Sequence, residues 1–250
     1  MAPLNAYNLL RLKKQNSIFV ETGTHVGSSL NVALSVGYKK IYSVEFDEAY
    51  YNKAKQQFKN NSNVFLYYGD SATELGKMLL DISEPSTIFL DAHFCGIHSD
   101  TGLSDIWIPV TNELKAIKKY AQPDSVIIID DLMAMDNTHF DMNTKKWAGA
   151  PGLEKLLEMI FDINPRFKVT QEEDRLICDL EDTRPVDMKI KEILYQLNDI
   201  RVRNKTSLIT ELISNIKSKG YPIINEFPYS NNVDVLEDRK LFLSKILSEL

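Results

Sequence analysis

Cysteine is nearly absent from this chain: Cys95 and Cys178 are the only two in 250 residues. Two thiols in so long a chain make no disulfide framework, and a reducing cytoplasm is the compartment expected of it. No apolar run approaches the roughly 20 residues that span a bilayer, so no membrane partner is expected. Residues 1–16 lack the apolar core of a signal peptide. Leu4, Tyr7, Leu9, Leu10 and Leu12 instead predict a short amphipathic helix packed on the body of the protein. Basic excess is missing too. Lys and Arg number 29 against 35 Asp and Glu, a net charge of −6. Nucleic-acid binding usually needs a basic face, so nucleic acid is not an expected partner. Internal repeats and low-complexity tracts are absent as well. What is present is 44% hydrophobic residues, enough to bury a core in one large domain or one domain plus an appendage.

The most informative stretch is Glu21-Thr22-Gly23-Thr24-His25-Val26-Gly27. It joins a short apolar strand, Ser17 to Val20, to a helix reading from Gly27 to Val36. A glycine turn between strand and helix is where open α/β sheets bind nucleotide-like cofactors. The helix start supplies free backbone N–H groups, and glycine lets a ligand approach the chain. The dinucleotide fingerprint needs a second glycine where this chain has His25, and it has no carboxylate like Glu21. An anion at that point is a poor neighbour for a pyrophosphate. It suits a cofactor with an ammonium or sulfonium end, which favours S-adenosylmethionine (SAM) over NAD.

Further strand tips follow in an order such a site requires. Ile41 to Val44 reads as a strand ending at Glu45, with Phe46 next. A carboxylate about 20 residues past the glycine turn is placed for ribose hydroxyls. Asp47 to Asn60 reads as a helix with Tyr50, Ala54 and Phe58 on one face. Asn63 to Tyr68 is a third strand, followed by Gly69-Asp70-Ser71. Asp70 is placed for the adenine edge, and Ser71 with Glu74 forms an expected capping box. Ser86 to Leu90 ends at Asp91, and Ser125 to Ile129 ends at Asp130-Asp131.

This series resembles the class I SAM-dependent methyltransferases. Within them it is most similar to the metal-dependent, macrocin-type O-methyltransferases of small molecules. The residues that carry the likeness are Glu21-x-Gly23-x-x-x-Gly27, Val44-Glu45, Gly69-Asp70-Ser71, Leu90-Asp91-Ala92-His93 and Ile128-Ile129-Asp130-Asp131, within roughly residues 15–180. The resemblance implies a Rossmann-like α/β fold, mostly parallel, with seven strands in the order 3-2-1-4-5-7-6. It implies acceptors among sugars of natural products or precursors of surface polysaccharides. It also implies that an Asp ending the fourth strand and an Asp-Asp pair after the fifth hold a divalent metal. The cofactor-binding set is then Glu21, Thr22, Gly23, Thr24, His25, Gly27, Ser28, Glu45, Phe46, Asp70, Ser71 and Asp91.

The rest of the chain completes that fold. Trp107 to Tyr120 reads as a helix with Pro109 in its first turn, and Gly152 to Ile163 as another, closed by Asn164-Pro165. Phe167 to Thr170 and Arg175 to Cys178 flank Glu172-Glu173-Asp174 as a hairpin. Residues 1–181 make the expected SAM-binding domain, and residues 182–250 a helical C-terminal extension. Val186 to Arg201, Thr206 to Lys219 and Leu236 to Leu250 are its amphipathic helices. Their stripes suit packing on the core, a homo-oligomer contact, or a cover over the acceptor pocket.

The candidate catalytic group is Asp91, His93, Asp130 and Asp131. Asp91 and Asp130 end neighbouring strands, so their carboxylates are expected to converge at the edge where α/β sheets bind ligands. Three hard oxygen donors, Asp91, Asp130 and Asp131, suit Mg²⁺ or a similar ion. Such an ion holds acceptor oxygens and acidifies a hydroxyl, leaving His93 as general base. The alternative has Asp91 shaping the cofactor pocket, Asp130-Asp131 capping a loop, and His93 a hydrogen-bonded scaffold residue. Two long loops flank this group: Phe94 to Ile106, with His98, Asp100 and Asp105, and Met133 to Trp147, with Asp136, His139 and Asp141. Three functions fit. The first is SAM-dependent O-methylation of a small molecule with metal help. The second is metal-independent methylation of a nitrogen or a phosphorylated acceptor. The third is a non-catalytic subunit of the same fold that binds a partner through its tail.

Overall fold

The computed structural model describes residues 4–13, 16–93, 108–135 and 149–180, with Ile190 and Ile193 beyond them. The chain divides into two compact units, Met1–Leu197 and Asn198–Leu250, and all described residues belong to the first. The boundary expected after residue 181, most of the tail helices, Trp107, Cys95 and nearly all of both flanking loops lie outside the described residues.

Apolar, β-branched runs make the strands β1 (Ile18–Thr22), β2 (Lys40–Glu45), β3 (Val64–Tyr68), β4 (Ser86–Leu90) and β5 (Val126–Ile129). These five are parallel neighbours in one sheet. The hairpin β6 (Phe167–Glu172) and β7 (Arg175–Leu180) adds two antiparallel strands, β7 pairing with β5. The order is β3-β2-β1-β4-β5-β7-β6, as the resemblance implied. The hairpin is longer than its apolar cores, because pairing continues to Glu172 opposite Arg175 and leaves a turn of Glu173 and Asp174.

Both faces of the central strands β1, β4 and β5 are buried, which is why these read as continuous apolar runs. Alternate residues point to opposite sides. Val20, Val44, Ile88, Leu90, Ile127 and Ile129 pack with α4 (Ser71–Leu80), α5 (Val110–Tyr120) and α7 (Leu153–Ile163). Phe19, Ile41, Phe89 and Ile128 pack with α1 (Ala6–Lys13), α2 (Ser28–Ser35) and α3 (Glu48–Gln57). Truncating a fully buried aromatic such as Phe19 or Phe89 to Ala is expected to cost about 3–5 kcal/mol. Ile190 and Ile193 are helical and pack against the first of these cores.

Several local expectations change. In α1 only Leu9 and Leu12 face inward with Leu4; Tyr7 and Leu10 point to solvent. A helix of eight residues has room for one narrow apolar stripe, and those two lie off it. Asp70, not Ser71, caps α4, accepting the N–H of Ala72. That places Thr73 rather than Glu74 at the third position, so no capping box forms, and Glu74 pairs with Lys77. Pro109 is the N-cap of α5 instead of lying inside its first turn. Leu132–Met135 is a short helical turn, α6, where the sequence predicts a loop from Met133 onward.

The strand tips are laced together beyond the sheet. The N–H of Gly23 donates to Val44 O, that of Gly69 to Glu45 O, that of Asp91 to Thr22 O, and that of Asp130 to Leu90 O. Gly23 has φ +85°, and a Cβ there would lie 2.5 Å from the carbonyl oxygen of Asp91. The two tips flanking the topological switch therefore close on each other only without a side chain. Gly23→Ala is expected to lower stability by about 1–3 kcal/mol, because both backbone strain and a backbone clash must be relieved. Urea denaturation checks this; an unchanged midpoint would show that the two tips are not in contact.

Candidate functional site

The carboxyl-terminal edge of β1, β2, β4 and β5 gathers the residues that the sequence singled out, in two linked parts. The first is the glycine turn. Gly27 is in the left-handed region and starts α2 without a side-chain cap, so the first-turn N–H groups have no side-chain acceptor there. Glu45 ends β2 and holds the turn from the side. One of its oxygens accepts the N–H of His25 at 2.7 Å, the other that of Asp47 at 2.8 Å. His25 takes a left-handed φ of +47°, which that bond stabilises, and its ring lies 4.4 Å from the Tyr50 ring. Ser28 is exposed at the helix start, and Phe46 is 40% exposed beside Glu45.

Glu21 differs from its expected setting. It lies within β1 and is fully buried beneath the turn. Ser29 and Ser43 donate their hydroxyls to its two oxygens, and Thr24 pairs with Ser43 at 2.6 Å. Burial pushes its carboxyl up to about 8, the hydroxyls opposing and Glu45 adding to the shift. Burial thus favours the neutral acid, a hydrogen-bonding strut under the turn that a nearby cation would ionise.

The second part is acidic. Asp91, after β4, and Asp131, after β5, meet across His93. His93 Nε2 lies 2.5 Å from Asp131 Oδ2, and Nδ1 lies 3.6 Å from Asp91 Oδ1. One ligand atom from each of the three lies within 4.8 Å of the others. Asp131 Oδ2 is buried and accepts no directed hydrogen bond, close as the imidazole is. Burial, then the charge of Asp130, hold the Asp91 carboxyl well above the usual range; His93 opposes this, while Glu21 and Asp131 add to it. Crowded acids are what a cation would relieve, and two carboxylates and an imidazole within reach of one point fit a hard divalent ion.

Asp130 is not in that cluster. Its Oδ2 accepts a hydrogen bond from Arg175 Nη2 at 3.0 Å, and its Oδ1 accepts the N–H of Asp131. The three expected metal ligands thus separate: Asp91 and Asp131 converge with His93, and Asp130 turns to the hairpin. Burial raises the Asp130 carboxyl, and Arg175 counteracts that rise.

Two functional candidates were missed in the sequence. Arg175 is one. Glu113 is the other, buried in the first turn of α5. The hydroxyls of Ser71 and Thr22 hydrogen-bond its carboxyl, and Thr22 also accepts the N–H of Asp91. Glu113 Oε1 has no partner, and with Asp91, His93 and Asp130 it lines a small cavity. Burial pushes its carboxyl up to about 7. The signal was its place in the stripe Val110, Glu113, Leu114, Ile117, an acid at a core-facing helical position.

With this geometry in view, solved structures supply the class of fold. The O-methyltransferase from Bacillus cereus, solved with SAH, matches with TM-score 0.54 and 19% identity over 73% of this chain and 82% of that one. TomG from Streptomyces achromogenes, an O-methyltransferase of tomaymycin synthesis solved with SAM, matches with TM-score 0.51 and 15% identity, over 71% and 79%. The chain therefore has the class I methyltransferase fold. No protein-family model matches the sequence, and no curated protein matches it.

The buried acids make stability depend on pH. Glu113 ionises near 7 when folded, against an ordinary 4.5, and Glu21 near 8. The unfolded chain loses these protons first. The stability these two neutral acids contribute is therefore full below about pH 4.5 and is lost as pH rises through 7 and 8. Glu113→Gln keeps the volume and removes one titration. The decline in urea midpoint from about pH 5 to pH 8 should flatten, with the variant more stable than wild type by about 1 kcal/mol or more at the upper end. A slope identical to wild type would show that Glu113 is not held neutral.

Proposed function

We propose that this chain is a SAM-dependent methyltransferase that moves a methyl group to a hydroxyl of a small molecule with the help of a divalent ion. The observation that carries this reading is the meeting of Asp91, His93 and Asp131 on the same sheet edge as the glycine turn and Glu45. SAM would lie across that edge. Its ribose would be held by Glu45, its adenine would lie toward Phe46 and Asp70, and its sulfonium would sit near the acids around Asp91. That arrangement favours a cationic methyl donor, since the positive charge relieves crowded carboxylates. It also agrees with the SAM and SAH bound to proteins of this fold.

Asp91 and Asp131 are the residues that would hold Mg²⁺ or a similar ion, beside His93. Such an ion, when bound, orients acceptor oxygens and lowers the pKa of a hydroxyl. His93 is the side chain placed to receive the acceptor's proton, its ring oriented by the two carboxylates. The chain's contribution is positioning, because the cofactor brings the reactive group. For the acceptor we infer a sugar hydroxyl of a natural-product or surface-polysaccharide precursor, on the strength of the macrocin-type motifs. No helix among the described residues is long and apolar enough to cross a membrane.

The test is SAH release from SAM with Mg²⁺ over a panel of free and nucleotide-linked sugars, beside calorimetry of SAH binding. Asp131→Asn is expected to reduce turnover about 100-fold, as EDTA should, with SAH affinity within about threefold of wild type. Turnover that survives both would end the metal assignment. A folded chain that takes up no SAH would end the methyltransferase reading itself.

A further inference from the structure

Asp130 and Asp131 are adjacent and both buried, yet they have different partners. Asp131 sits in the left-handed region at φ +52°, a conformation that a non-glycine residue keeps only when its surroundings enforce it. The β6–β7 turn supplies that enforcement on both sides. Before Asp131, the Asp130 carboxylate is held by Arg175 at 3.0 Å and in turn accepts the Asp131 N–H. After it, the N–H of Leu132 donates to the carbonyl of Asp174 at 2.9 Å. Arg175 is 5% exposed and Asp130 4%, so the pair is shielded from water and its geometry is fixed. Register adds to this, because Leu176 pairs with Ile129 and brings Arg175 level with the tip of β5.

We propose that Arg175 is a positioning residue of the candidate metal site: it holds Asp130 out of the ligand set and fixes Asp131 so that Oδ2 faces His93 and Asp91. This rests on reading Asp91, His93 and Asp131 as a divalent-ion site. Two carboxylates then face the ion instead of three. The third acid works from behind, as an outer partner that orients a ligand. The hairpin, which lies beyond the cofactor-binding half of the sheet, becomes part of the metal centre's support.

The experiment titrates Mn²⁺ alone into the full chain by calorimetry. It uses wild type, Asp131→Asn, Asp130→Asn, Arg175→Met, Arg175→Lys and the Asp130→Asn/Arg175→Met double variant, with circular dichroism as the check on folding. Wild type should bind Mn²⁺ and Asp131→Asn should not; a wild type that takes none ends the metal reading, and this one with it. Given binding, Asp130→Asn and Arg175→Met should each weaken it by about tenfold. The double variant should be no weaker than either single one, because both act through one contact. Arg175→Lys should recover part of the loss. The proposal is overturned if Arg175→Met binds Mn²⁺ as tightly as wild type or more so, or if Asp130→Asn abolishes binding as Asp131→Asn does, which would make Asp130 a ligand. Should Arg175→Met not fold, Arg175→Lys decides instead: a measurable loss supports the assignment and wild-type affinity refutes it.

Discussion

The contact between Gly23 and the backbone of Asp91 is the constraint on which the rest of the site depends. At the switch point of a doubly wound sheet, the chain departs from two neighbouring strands in opposite directions and leaves a crevice. Here β1 and β4 flank that crevice, and a Cβ on Gly23 would come within 2.5 Å of the Asp91 carbonyl oxygen. Because no side chain intervenes, the Asp91 N–H reaches both the carbonyl and the hydroxyl of Thr22. The Thr22 hydroxyl passes that order to Glu113, and Asp91 itself is brought opposite the tip of β5. A bulkier residue at position 23 would separate the glycine turn from the acidic cluster, and neither half would face the other.

Acids dominate the edge that results. Burial raises the carboxyls of Glu21, Glu113, Asp91 and Asp130 alike. Among the described residues Arg175 is the only buried basic side chain, and it pairs with Asp130 at 3.0 Å and with Glu173 at 3.7 Å. Such an edge keeps some of its acids protonated until a cation arrives. A sulfonium-bearing cofactor and a divalent ion are both answers to that imbalance, which is why the two halves of the proposed function belong together physically.

Much of this was legible in the chain itself. The strands announced themselves as apolar runs because both faces of a parallel sheet are buried, and each run stopped at a glycine or an acid that marked its tip. Asp91, His93 and Asp131 could be named from those tips. The misreadings had local causes. Asp70 and Ser71 are both good caps, and spacing to Glu74 favoured the wrong one; the structure places the Ser71 hydroxyl on Glu113 instead. Glu113 was hidden because an acid in the first turn of a helix is ordinary. Only its inward-facing position sets it apart. Arg175 was hidden because nothing in a hairpin's sequence says which strand tip it will reach.

Local chemistry therefore determined the elements, their order along the chain and the acidic character of the edge, since hydrophobic period, glycine freedom and charge all reside in neighbouring residues. Tertiary structure alone decided which partner each carboxylate meets. Asp130 and Asp131 are indistinguishable as letters. They differ because β7 pairs antiparallel with β5 and brings one guanidinium to one of them. Likewise Glu21 is an ordinary acid on paper and one whose carboxyl is pushed up to about 8 in the fold, because burial, which no single residue specifies, sets the free energy of its charge.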